Sequence, residues 1–495
     1  MKANLLKAQI AIESPLDGLG RPVAAIQALK AELELRPDSN EVLTLLAKLL
    51  GDIGRQDAAT ALQRALLAQN PDDPARRGNL LYGLHHLHGN DGALMLKEHA
   101  AWTSRHADLL VSNVPPHLND RSADRRLRVG YVSADFRDHP AARFLLPLLE
   151  SHDRNQVEVF CYNDCTQPNA LTDRFRSAAH IWRETASMSD ATLADQVRQD
   201  AIDIFIDPTG FMADNRLLTF ARKPAPVQVS YFGYPGTVAM SAIEWRLTDS
   251  LLDPPGMTES HYTEKLIRIG PSAMVYTPLS ETTDVQPTPA LSTGFITFGA
   301  LNRLSKVTPA MIRIWGRVLA GVPNSRLLLL SPSIHEPEAN EEIRHWFARH
   351  GVPTERLELA PRSPRESYLK LFHHIDIHLD TFPYNGCTTT CDALWMGVPT
   401  VTLAGKAYAA RMGVSLLTQV GLTDLITETP EQYVNVAASL ASDVLRLNQL
   451  RCALRERMIH SPLMDYQGLA RNIEAAFRQM WKQWWESSDS NSVST

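Results

Sequence analysis

Twice along this chain, short β-rich segments alternate with helical ones, and the two series flank a stretch rich in proline, serine and threonine. No other feature restricts the fold as much, because parallel strands must be joined by crossovers and helices supply them. In the first series the expected strands are Leu127–Ser133, Val157–Tyr162, Ile202–Asp207 and Val227–Phe232. Helical segments fall at Ala141–Leu149 and near Leu193–Arg198. In the second they are Phe295–Phe298, Ser325–Leu330, Leu357–Leu359, Ile375–Asp380 and Thr400–Leu403, with helices at Pro309–Val318, Glu341–His350 and Thr388–Met396. The pattern predicts an α/β protein with two Rossmann-like domains facing a cleft. Ligands of such sheets sit at the carboxyl ends of the strands.

Ahead of Arg126 the sequence reads as helix alone. Arg36-Pro37-Asp38-Ser39 returns as Asn70-Pro71-Asp72-Asp73, the prolines 34 residues apart, which is the period of tetratricopeptide repeats. Small and apolar positions precede each proline (Ala25 and Leu29; Ala58, Leu62 and Ala65), and Leu43, Leu46, Ala47 and Leu50 keep helical spacing between them. So short an array is expected to pack on the α/β part of the chain rather than stand alone. The organisation is therefore tetratricopeptide-like helical repeats over 1–125, a first Rossmann-like domain over 126–280, and a linker over 281–293. A second Rossmann-like domain covers 294–465, a C-terminal helix 466–486, and a disordered polar tail 487–495.

Composition narrows the class. With 44% hydrophobic and 21% charged residues the chain resembles an ordinary globular protein, and a net charge of −6 argues against a general nucleic-acid binder. No stretch approaches the roughly 18 unbroken apolar residues of a membrane span. Lys7 and Gln9 interrupt the apolar start, so no secretory signal is expected. Five cysteines, an odd number, suit a reducing cytoplasm.

The most informative segment is Leu379 to Pro399, where a strand ends, Asn385-Gly386 turns the chain, and Thr388-Thr389-Thr390 opens a helix. Helix N-termini present unpaired N–H groups and partial positive charge, so they hold phosphate; an ordinary helix capped by Thr388 or Thr389 is the alternative. Asp392, one turn in, suits a ribose hydroxyl. Asn302-Arg303-Leu304-Ser305-Lys306 follows another strand of the same half, with cations suited to a diphosphate. Arg365 and Tyr368, after a third strand, add a cation and an aromatic ring able to cover a base. Together these segments read as a nucleotide-diphosphate pocket. In the first half, His139 stands after the first strand, placed to bind a sugar or accept a proton, and Gly233, Pro235 and Thr237 form a sharp turn at another strand end. The spacing Cys161/Cys165 and Cys387/Cys391 does not make a zinc set, since no histidine completes it. His85, His86 and His88, and the pair His374 and His378, are read as structural.

Several phrases carry a family resemblance: Arg128 to Phe136 with His139-Pro140, Arg222 to Gln228 through Gly233 to Thr237, Asn302 to Lys306, and Asp380 to Pro399. In them the chain, from about Arg126 to Trp481, resembles the protein O-linked N-acetylglucosamine transferases and their bacterial relatives, which join tetratricopeptide repeats to a GT-B glycosyltransferase. The resemblance implies a metal-independent, inverting transfer of N-acetylglucosamine from UDP-N-acetylglucosamine to Ser or Thr hydroxyls of proteins, without a cofactor. It makes Lys306, with the Thr388 and Thr389 amides, the group that neutralises the leaving diphosphate. It gives Asp392 the ribose, has Arg365 and Tyr368 border the uridine, and places His139 beside sugar and acceptor, with Asp195 a further matched catalytic position. The chain departs from the family in Arg303 (commonly glutamine), Cys387 (histidine), Tyr368 (often histidine) and Arg198 (histidine in animal members), and lacks the large insert of the animal enzymes. A UDP-hexose transfer to asparagine or a small molecule, and a repeat-bearing binding protein with a decayed catalytic half, are the alternatives.

Overall fold

Parallel ladders dominate the computed structural model, which describes residues 22–111, 114–278, 283–331, 337–361 and 365–492. The first sheet has seven strands: β1 (Leu127–Ser133), β2 (Val157–Asn163), β3 (Ile181–Glu184), β4 (Ile204–Asp207), β5 (Val227–Tyr231), β6 (Trp245–Thr248) and β7 (Lys265–Arg268). Their spatial order is β3-β2-β1-β4-β5-β6-β7. All pair in parallel, β1 lying between β2 (Leu127↔Val157) and β4 (Val129↔Ile204). The second sheet has six: β8 (Thr297–Ala300), β9 (Arg326–Ser331), β10 (Leu357–Pro361), β11 (Ile377–Leu379), β12 (Thr400–Leu403) and β13 (Ile426–Thr427), in the order β10-β9-β8-β11-β12-β13. Both are α/β sheets whose inner strands are buried on both faces, hence their near-continuous apolar runs.

Local signals set many helix boundaries. Thr308 Oγ1 accepts from the Met311 amide at 3.2 Å and Pro309 opens helix Pro309–Gly321, while Thr429 and Gln432 form a capping box at helix Pro430–Ser442. Strands moved where tertiary bonds overruled pattern. The Asp376 carboxylate accepts from the Thr297 amide at 2.8 Å and the Ala290 amide at 2.9 Å. This pins the end of the ladder, so β8 begins two residues later than expected and β11 is only Ile377–Leu379. Gly299 sits in β8 because Ile375 packs over it, 2.3 Å from where a Cβ would stand.

The helical region comprises helices Pro22–Leu35, Asn40–Asp52, Gln56–Gln69, Pro74–His88 and Gly92–His106. Pro37 and Pro71 both lie in the turns between helices, and Asp73 Oδ1 caps the fourth helix through the Ala75 and Arg76 amides, each at 3.0 Å. Ala25, Ile26, Leu29, Val42, Leu46, Leu49 and Ile53 form a core of their own.

The chain divides into two compact units that do not follow the linear order expected. The described helices up to Asn90 belong with Pro278–Ile459, the second sheet. Asp91–Thr277, with the fifth helix and the first sheet, belongs with the C-terminal helix from His460 onward. Region 1–125 is thus shared between units. The physical reason lies in the side chains: Gly54 abuts Leu304 and Trp346, whereas His99 of the fifth helix bonds Tyr234. The segment expected as a linker is held to the second unit, Thr288 by Asp376 and Asn448 and Gln286 by Arg451. The last helix runs Tyr466–Ser492 rather than stopping at 486, so the expected disorder of 487–492 is corrected. No glycine or proline interrupts that stretch, and Ser487 Oγ bonds back to the Trp484 carbonyl at 2.8 Å. Residues 493–495 lie outside the described residues.

Candidate active site

In the second unit, the loops after β8 and β11 at the carboxyl edge of the sheet come together around Gly386. Asp380, at the end of β11, is fully buried and organises them. Its Oδ1 accepts from the Thr381 amide at 2.8 Å and the Gly386 amide at 2.7 Å, and its Oδ2 from Thr402 Oγ1 at 2.7 Å. Burial lifts its pKa to about 6 against those donors. Lys306, at the end of a 3₁₀ turn after β8, donates from Nζ to the Asn385 carbonyl at 2.7 Å and lies 4.0 Å over the Tyr384 ring. Burial pulls its pKa down to about 8, the nearby Asp380 resisting. A side chain at Gly386 would strike Thr390 Oγ1 at 2.7 Å and Asn302 Oδ1 at 2.9 Å, so only glycine admits this approach.

Helix Thr388–Trp395 begins here with Cys387 as N-cap, and no side chain caps it. The alternative of a helix capped by Thr388 or Thr389 is not what forms: both lie inside the first turn, half-exposed. Burial holds the Cys387 thiol up at about 12, so it stays protonated and cannot repel an anion. Beside this turn, Asn302 Nδ2 and Thr390 Oγ1 are buried with no hydrogen-bond partner among the described residues. Unpaired buried polar atoms are costly, and a positive helix end, a dried ammonium and an orphaned amide all favour an oxyanion.

In the first unit, β1 ends at Ser133 and the loop after it carries Asp135 and His139. His139 Nδ1 lies 3.3 Å from Asp135 Oδ2 and 3.3 Å from the Ala141 amide, with about a third of its side chain exposed. Nδ1 accepts from the Ala141 amide, so the neutral ring carries its proton on Nε2, and only the doubly protonated ring pairs Nδ1 with Asp135. Burial raises the Asp135 carboxyl above its ordinary range, partly offset by His139 and Arg137. A cavity of about 450 Å³ opens at this edge, lined by Arg137, Asp214 and the bidentate pair Arg216–Asp164. At the end of β5, Gly233 would place a Cβ 1.9 Å from the Pro208 carbonyl oxygen. The Tyr234 and Gly236 carbonyls accept from the buried Arg246 guanidinium at 2.8 and 2.9 Å.

Comparison with known proteins decides the family. The profile of glycosyl transferase family 41 matches residues 77–276 and 282–473. The chain belongs to glycosyl transferase family 41. Among its relatives is the probable UDP-N-acetylglucosamine–peptide N-acetylglucosaminyltransferase SPINDLY of Hordeum vulgare, 38% identical over 433 residues, 86% of this chain and 44% of the relative. The Arabidopsis thaliana relative SEC, which carries the same probable activity in its name, is 33% identical over 372 residues, 72% of this chain and 37% of its own length. The chain thus spans about half the length, or less, of the curated relatives it matches. A solved structure of a mutant Thermobaculum terrenum O-GlcNAc transferase superposes with a TM-score of 0.81 at 33% identity, covering 98% of both chains. Two parallel α/β sheets behind a helical region are therefore the family 41 architecture, of GT-B type.

Within that family 41 frame, the structure brings Lys306, Cys387, Thr388, Thr389 and Asp392 together, Asp392 buried beside Cys387. Arg303 is exposed at the rim. Tyr368 is half-buried against a core that includes Leu301 and Ala393, which links its helix to the other two loops. Arg365 opens that helix, but its side chain lies outside the described residues. In the first unit, Thr237 is absorbed by structure: its hydroxyl donates to Glu264 Oε2 at 2.5 Å and accepts from the Ala239 amide, while Pro235 is buried. Asp195 is not brought to His139. It lies exposed on helix Asp190–Gln199, whose Arg198 donates to the Arg222 and Lys223 carbonyls ahead of β5. Arg198 is thus at the amino edge of the sheet, whereas His139 lies at the carboxyl edge. Sequence reasoning missed Asn302, Thr390 and Tyr384 as site residues. All three lie inside phrases it singled out, but only burial distinguishes them from their neighbours.

Proposed function

We propose that this protein is an inverting, metal-independent glycosyltransferase that moves N-acetylglucosamine from UDP-N-acetylglucosamine to serine or threonine hydroxyls of proteins in the cytoplasm. The observation that carries the reading is the donor site of the second unit: a half-buried ammonium, an uncapped helix N-terminus, and the unpartnered Asn302 Nδ2 beside Gly386. In the transfer, the acceptor oxygen bonds to the anomeric carbon as that carbon's bond to the diphosphate oxygen breaks, and the acceptor proton departs to a base. Lys306 and the amides of Thr388 and Thr389 stabilise the charge that gathers on the departing UDP, the work a divalent cation does elsewhere. His139, about a third exposed and held through Nδ1 by Asp135 and the Ala141 amide, is suited to the sugar and acceptor side. The names of the relatives, UDP-N-acetylglucosamine–peptide transferases, support donor and acceptor class. All five cysteines are free thiols, as a reducing compartment requires, and among the described residues no helix is long and apolar enough to cross a membrane.

The test is titration of UDP into the protein by calorimetry in the presence of EDTA, followed by a donor screen with mass spectrometry of modified peptides. Undiminished UDP binding in EDTA and a mass increase of one N-acetylhexosamine on serine or threonine are expected. Binding that needs Mg²⁺ overturns the metal-free site, and transfer of a plain hexose overturns the donor.

A further inference from the structure

Behind the donor-site lysine stands a helix that the linear order assigns to the repeats. Tyr384 presents one side of its surroundings to Lys306, whose Nζ is 4.0 Å from the ring centroid. His86, from helix Pro74–His88, packs against the same ring at 5.0 Å with a 49° tilt. Tyr82, one turn earlier on that helix, meets His86 edge-on at 5.2 Å. The end of the helix is tied down as well: Asn90 Oδ1 accepts from the Lys406 amide, and Gly89 abuts Ala409, whose carbonyl accepts from the Asn385 amide at 2.9 Å. Asn385 is the residue whose own carbonyl holds Lys306.

A buried cation needs a rigid acceptor and a rigid aromatic face, since each loses most of its worth if it moves by an ångström. The Tyr384-Asn385 turn supplies both, and the repeat helix supports that turn. We propose that His86, with Tyr82, is a positioning residue for Lys306: the repeat helix braces Tyr384 from behind so that its ring and the Asn385 carbonyl fix the ammonium. A second cation at His86 would undo this arrangement. Burial, aided by Lys306 itself, prevents one, holding the imidazole neutral down to a pKa of about 3. The inference rests on reading Lys306 as the diphosphate-binding cation.

UDP is titrated calorimetrically into wild type, His86→Ala, His86→Phe, Lys306→Ala and the double variant His86→Ala/Lys306→Ala. Melting temperatures control for folding. His86→Ala is expected to weaken UDP about tenfold, His86→Phe to restore most of the loss, and His86→Ala to add nothing once Lys306 is gone. Equal losses with and without Lys306, or no loss at all, overturn the proposal. Should His86→Ala not fold, Tyr384→Leu, at the half-exposed side of the stack, must show the same dependence on Lys306. If wild type binds no UDP, the functional reading fails by itself, and competitive acetylation of Lys306 read by mass spectrometry decides the inference. Water admitted by His86→Ala should then raise the Lys306 titration midpoint by about one unit, and an unmoved midpoint overturns it.

Discussion

Lys306 is a cation kept partly dry but not neutralised. Burial favours the uncharged amine and brings its pKa to about 8, below the ordinary lysine value, while Asp380 pulls the other way. The group is therefore charged at pH 7 and loses its charge as the pH climbs through 8. The free-enzyme profile, kcat/KM, is expected to fall along an alkaline limb centred near pH 8, while kcat holds to higher pH because the bound diphosphate keeps the ammonium charged. A kcat/KM profile flat to pH 9.5 contradicts the role. Lys306→Ala should lose at least about a hundredfold in kcat, and Lys306→Arg should not recover it, since a planar fork cannot occupy the place of a point charge over Tyr384.

Helix Thr388–Trp395 starts differently from two other helices of the second unit. Helix Pro309–Gly321 is capped by Thr308 and helix Pro430–Ser442 by Thr429, so their first amides are spent within the protein. Cys387 caps nothing, which leaves the first turn beside Lys306 able to donate to an anion. A carboxylate placed there should compete for the amides and repel phosphate. Cys387→Asp is expected to weaken UDP at least about tenfold, whereas the neutral Cys387→Ser stays within about twofold. Equal affinities in calorimetry for the two variants exclude this helix end from anion binding.

Across the chain as a whole, the repeat helices up to Asn90 are a wall of the second α/β unit. Gly54 lies against Leu304 and Trp346, Arg55 pairs with Glu342 at 3.3 Å, and His86 packs on Tyr384. A chain starting at Asp91 should therefore lose UDP binding and elute as aggregate in size-exclusion chromatography, because it uncovers Trp346 and the Tyr384-Asn385 turn. A monodisperse truncated protein with unchanged UDP affinity makes the repeats an appended module instead.

Whatever rests on local periodicity was legible in the amino-acid order. The two βαβ series, the proline turns of the repeats and the strand ends that carry Lys306, His139 and the Thr388-Thr389 turn all come from patterns a few residues long. The strands Ile181–Glu184, Trp245–Thr248, Lys265–Arg268 and Ile426–Thr427 did not, being two to four residues each and made strands only by the neighbour they pair with. Packing in three dimensions, and nothing nearer in the chain, left Asp195 exposed on its helix, gave Thr237 to Glu264, and parted the helical region at Asn90. It also packed His86, read as structural, against the Tyr384 ring that Lys306 lies over. The reason is the same in each case: burial and hydrogen-bond partners come from residues distant in the chain, as Tyr384 does for His86, and no local pattern encodes them.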